Sequence, residues 1–165
     1  MKIIDSFFIF KMLSFVIYFT LASQGGFYIL SFYKVLLHMP TESFIGIRKA
    51  TDHVIETPLK VLYPSGIVVM LIWLFMADKS SGVRGYGFLF ISFVLLATDL
   101  LLAMYVNVPL NKIIRHMTAD NGGEALHIQH KWLKFILIRS FLTVTGYFML
   151  TLHLLIQAER PATFH

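Results

Sequence analysis

Four long apolar runs constrain this chain more than any other feature of it. They cover about residues 12–33, 61–77, 86–108 and 132–156, and there is no fifth. A bilayer core about 30 Å thick takes roughly 20 residues of helix to cross. The second run is the shortest and has room to extend backwards. Backbone polar groups in lipid must be satisfied inside a helix or a closed barrel. These runs are continuous rather than alternating, so the expected fold is all-α: one integral membrane domain over residues 1–165, a four-helix bundle. Composition agrees, because 14% of residues are charged where a soluble domain carries about 25%. The start of the chain has the look of a secretory leader. Asp5 is foreign to such a segment, however, and the apolar run continues past Ala22, so it reads as a first span.

The connections differ in content. "DKSSGVRG", 78–85, is a short polar turn. Residues 34–60 and 109–131 are longer. Pro40 followed by Thr41 marks a helix start. Ile45, Ile47, Val54 and Ile55 then give an amphipathic helix expected to lie along the membrane interface between spans 1 and 2. Asn121-Gly122-Gly123 reads as a turn, and Glu124 begins the helix that becomes span 4. Eight Lys and Arg residues lie on the side of the two long loops and five on the other. That bias puts the loops in the cytoplasm of a multi-pass protein.

Several function classes drop out. Without cysteine there is no disulfide, thiolate metal site or iron–sulfur cluster. The net charge of +5 is scattered, with no basic run interleaved with aromatics, so nucleic acid is not an expected partner. The expected surroundings are the lipid bilayer, with a homo-oligomer or a larger complex left open. No phosphate-binding loop, nucleophile elbow or dinucleotide fingerprint is present. Four spans without an internal repeat argue against a transporter acting alone.

Depth singles out the candidate site. A helix rises about 1.5 Å per residue. Measured from the long-loop side, Asp99 is roughly 13 Å deep, Arg139 roughly 10 Å and Gln24 roughly 13 Å. Tyr63 sits a few ångströms above them. Isolated charges at such depths cost about 2.5–3.5 kcal/mol on insertion scales, so they face the bundle and pair. Asp99 and Arg139 are therefore expected to form an ion pair, with Gln24 nearby. The pair is either a pin for helix register or the wall of a small-molecule pocket. Asn107 and Asn111, four apart, flank Pro109. A proline there predicts a break or bend at Val108, with Asn107 capping freed carbonyls or lining the mouth of a pocket.

Seven histidines raise the question of a metal. Glu124, His127 and His130 contain one E-x-x-H motif. A di-iron carboxylate site needs two such motifs on facing helices. These three are weak ligand candidates, and no cofactor is predicted.

"NVPLN" at 107–111, then Trp132 and Arg139 in span 4, resembles the small four-span family named after anthrone oxygenases. The stretch "FYKVLLHMPTESFIGIRKATDHVIETPLKVLYP", 32–64, is similar to it as well, so the likeness covers most of the chain. The family often carries Asn-His just ahead of its arginine; Ile136 and Leu137 stand there in this chain. The resemblance implies oxidation of an anthrone-like aromatic by molecular oxygen without a conventional organic cofactor. It also implies an apolar substrate arriving from lipid, bordered by Asn107, Asn111, Trp132 and Arg139. Arg139 would stabilise an anion formed by deprotonation, and Asp99 would orient Arg139 or act as the base. The alternative is a non-enzymatic membrane small-molecule binder or a subunit of a larger complex. The two readings part on whether a cavity lies beside Arg139.

Overall fold

The computed structural model describes residues 6–77, 82–117 and 122–158. Its elements are α1 (Ser6–Phe27), a π-turn (Tyr28–Phe32), α2 (Tyr33–His38), α3 (Thr41–Met76), α4 (Gly82–Leu102), a second π-turn (Ala103–Asn107), α5 (Val108–His116) and α6 (Gly122–Ala158). They form four rods, each long and apolar enough to cross a membrane. The fold is the expected all-α four-helix bundle. The polar turn at 78–81 and Asn121 lie outside the described residues.

The bundle is apolar on its surface and buries a set of charged and polar side chains within an apolar core. Leu30, Phe75 and Tyr105 project from its surface, while Asp99, Asn107 and Arg139 are buried. That arrangement is what a lipid environment selects, because charges must face the bundle and find partners there. Small residues let the rods approach. A Cβ on Gly146 would stand 1.7 Å from the Tyr18 hydroxyl, which donates to the Ser92 carbonyl at 3.0 Å. Glycine at this position therefore lets α1, α4 and α6 meet.

The rods are longer than the apolar runs because the long connections are themselves helical. Pro40 restricts the residue before it, and Met39 is extended there, ending α2. The carbonyls left at that end are satisfied from α6: buried Gln129 donates to Leu36 O at 2.8 Å and Met39 O at 3.1 Å. Thr41 donates to the Gln129 side-chain oxygen at 2.8 Å. The amphipathic segment that follows Pro40 is helical, and it runs without interruption into the second span as α3, through Pro58 and Pro64. Gly122, with φ of +33°, opens α6. The extended ends of α3, α5 and α6 enclose a second apolar cluster around Phe44, Ile114 and Leu133, distinct from the one around Tyr18, Met70 and Leu96.

Pro109 does not break its helix. Val108 stays in the right-handed helical region, with φ −63° and ψ −46°. The π-turn immediately before it supplies the reason. Proline removes one donor and crowds the carbonyl four residues back. A turn bonded at the wider i→i+5 spacing absorbs both effects. Asn107 accordingly makes no capping bond to the backbone, and its side chain turns inward.

Candidate functional site

The expected pair is present. Arg139 Nε donates to Asp99 Oδ1 at 2.6 Å, and Asp99 is 0% exposed. Tyr63 completes a triad: its hydroxyl donates to Asp99 Oδ2 and accepts from Arg139 Nη2 at 2.8 Å. The Arg139 guanidinium also lies 5.8 Å from the centre of the Tyr63 ring. Three rods thus contribute to one buried, mutually bonded group. Gln24 lies at the same level without joining it.

The pair does not fill the space beside it. A cavity of about 430 Å³ lies between α3, the α4–α5 rod and α6. Ligand sites run to roughly 300–1,000 Å³. Arg139, Tyr63, Asn107 and Gln24 form its deep wall, while Asn111 and Trp132 lie on its shallow wall. All six belong to the residues singled out from sequence. Asp99 stands behind Tyr63 and Arg139, bonded to both, and does not line the cavity. Both π-turns reach the cavity, through Tyr28 on one side and Ala103, Met104 and Asn107 on the other.

Asn107 has a definite orientation. Its Oδ1 accepts from Arg139 Nη1 at 3.4 Å. A guanidinium only donates, so the amide oxygen must face it and the amide nitrogen must face away. That nitrogen is buried and has no hydrogen-bond partner. An unpaired buried donor costs about 1–3 kcal/mol.

The shallow wall holds a network that sequence reading left out. Asn111 accepts from Trp132 Nε1 at 2.8 Å and from Arg48 Nη2 at 3.2 Å, and it donates to Asp52 at 2.8 Å. Arg115 donates to Asp52 at 2.7 Å and to Glu56 at 2.6 Å. Arg48, Asp52 and Arg115 all line the cavity in this arrangement. The available clue was the stripe Arg48, Asp52, Glu56 and Lys60, spaced by four on one helix face. Its continuation one turn later reaches Tyr63.

Glu124, His127 and His130 are exposed on α6, away from the cavity. Among the described residues, no three His, Asp or Glu side chains come together as metal ligands would.

Fold and site together define a class: a bundle of four membrane-length helices with a polar-walled cavity of ligand size inside it. No family model, no curated protein and no solved structure matches the chain.

Proposed function

We propose that the protein is an oxygen-dependent oxidoreductase acting on an apolar, anthrone-like aromatic bound in this cavity. The observation that carries the reading is the unpartnered amide of Asn107 beside Arg139, two donors on one wall of an otherwise largely apolar space. They suit a substrate oxygen that gains negative charge when a neighbouring carbon loses a proton. Donors placed where charge develops are worth most in a site shielded from water. Arg139 and Asn107 would hold that oxygen. Tyr63, bonded to Asp99, would relay the proton: its hydroxyl takes the substrate proton as its own passes to the carboxylate. The electron-rich carbanion then reduces dioxygen. The substrate carbon loses two hydrogens and gains one oxygen, and the second oxygen atom leaves as water. The reading needs no organic cofactor, and it is supported by the resemblance of "NVPLN", Trp132 and Arg139 to the anthrone oxygenase family.

The rim of the cavity includes apolar Leu59, Leu100 and exposed Met104, which supports access from lipid. On the charge bias of the chain, the end bearing the shallow wall faces the cytoplasm.

A second reading has its own support. Each nitrogen of the Arg139 guanidinium already has a protein partner. A group held in that way suits a non-enzymatic binder, or a subunit whose pair fixes register.

The test is oxygen uptake and anthraquinone absorbance with anthrone, using protein in nanodiscs against empty nanodiscs. The expected result is turnover above autoxidation, reduced about 10²-fold or more in Asn107→Ala. A rate equal to that of empty nanodiscs ends the oxidoreductase reading. Retained anthrone binding would then favour the binder.

A further inference from the structure

The oxidation scheme uses the deep wall alone, yet the shallow wall carries the less fully partnered cation. Arg48 is 7% exposed, and its guanidinium lies 4.3 Å over the Trp132 ring. Its protein bonds are all long: 3.3 Å to Thr51 and 3.2 Å to both Asp52 and Asn111. Charge-assisted bonds normally close to about 2.7–2.9 Å. Arg48 Nε is buried with no acceptor at all.

Asp52 is the natural counter-ion, but others hold it more closely. Arg115 Nε reaches it at 2.7 Å and Asn111 Nδ2 at 2.8 Å. On this wall Arg48, Lys60 and Arg115 face Asp52 and Glu56, leaving one positive charge in excess. A planar guanidinium stacked on an indole, short of acceptors and in a net positive wall, is built to take an anionic oxygen group. Asn111 follows Asn107 by four residues, so this wall lies about 6 Å along the helix from the deep one.

We propose that Arg48 is an anion-recognising subsite of the cavity. The ligand is then amphipathic, with a carboxylate or phenolate at Arg48 and an apolar body reaching towards Asn107. This inference rests on the cavity binding a small molecule, and it does not depend on the oxidation step. An aromatic acid and a free fatty acid share the required chemistry.

Equilibrium dialysis of the protein in phosphatidylcholine nanodiscs tests it, with 2-naphthoate, uncharged 2-naphthamide and oleate as probes and empty nanodiscs as blank. Naphthoate or oleate should bind about tenfold or more tightly than naphthamide. The better of the two acids identifies an aromatic or a lipid source. Arg48→Gln should erase the preference for the acid, weakening naphthoate far more than naphthamide. Arg48→Lys keeps the charge but lacks the planar donor, and should retain only part of the preference. It covers the case in which the glutamine variant fails to fold. If both acids bind no better than naphthamide, or if the preference survives in Arg48→Gln, the subsite is wrong while the cavity stands. If none of the three binds, the small-molecule reading of the cavity falls with it.

Discussion

Asp99 and Asp52 are both carboxylates held by arginines in the interior of one bundle, but they are held on different terms. Asp99 has two partners, Tyr63 and Arg139, each from a different rod, and no exposure. Asp52 has three, Arg48 from its own helix and Asn111 and Arg115 from α5, and Arg115 is 43% exposed at its side chain. Removing a partner at the deep level leaves a charge in a medium that cannot solvate it. Removing one at the shallow level leaves other donors in place and water within reach. The deep cluster is therefore expected to hold the rods together more firmly than the shallow one.

The largest expected effect breaks the deep pair. Asp99→Leu or Arg139→Met alone should cost about 3–5 kcal/mol, because each strands the other charge. The double variant should recover most of that loss, since a well-packed apolar pair avoids the cost of burying ions. Unfolding of the purified protein by heat or denaturant, followed by helicity, measures both. Single substitutions costing under about 1 kcal/mol would mean that the two levels are solvated alike, and the contrast would fail.

A smaller effect separates stability from ligand recognition within the shallow half. Gln129 sits near Arg48 in sequence depth but serves the backbone, tying the end of α2 to α6. Gln129→Leu removes the donor for the Leu36 and Met39 carbonyls, and should cost about 1–3 kcal/mol with no change in naphthoate affinity. A loss of affinity in proportion to stability would show that the whole shallow half, rather than the Arg48 wall, controls binding.

How far the sequence reached follows the same division. Helix rise is nearly invariant, so counting residues placed Asp99 and Arg139 at one depth, and opposite charges at one depth in lipid must pair. Depth says nothing of azimuth, so counting placed Gln24 no more closely than near the pair, and it lines the cavity beside Arg139 and Tyr63. The charged residues of the shallow wall were illegible for another reason. A stripe of Arg48, Asp52, Glu56 and Lys60 is what a solvated helix face looks like. The segment was expected to lie along the interface, apart from the span, and only a continuous α3 carries that stripe onto the cavity. The residue pattern leaves Asn107 open between a cap and a pocket lining, because Pro109 predicts a break or bend in its helix. A π-turn leaves no trace in residue pattern, and it is what turns that side chain inward.

The smallest expected effect concerns Arg115, the outermost member of the shallow network. Its bonds to Asp52 and Glu56 are short, at 2.7 and 2.6 Å, which by distance alone ranks them with the deep pair. Exposure reverses that ranking. Charges open to water are screened over about 8–10 Å at ordinary ionic strength, and side-chain ordering offsets much of their attraction. Asp52 also keeps Arg48 and Asn111 when Arg115 is removed. Arg115→Ala should therefore leave the unfolding midpoint nearly unchanged, and raising salt should narrow even that difference. Its effect on binding has the same sign as a lost ligand contact, but it acts through Asp52 and not through the ligand. Freed from Arg115, Asp52 turns more fully to Arg48 and satisfies the cation that would otherwise await an anion. Naphthoate affinity should fall in Arg115→Ala although Arg48 is intact, and a second change, Asp52→Asn, should restore it. If Arg115→Ala binds naphthoate as well as the parent, Asp52 is not divided between the two arginines, and the shallow wall is a fixed scaffold like the deep one.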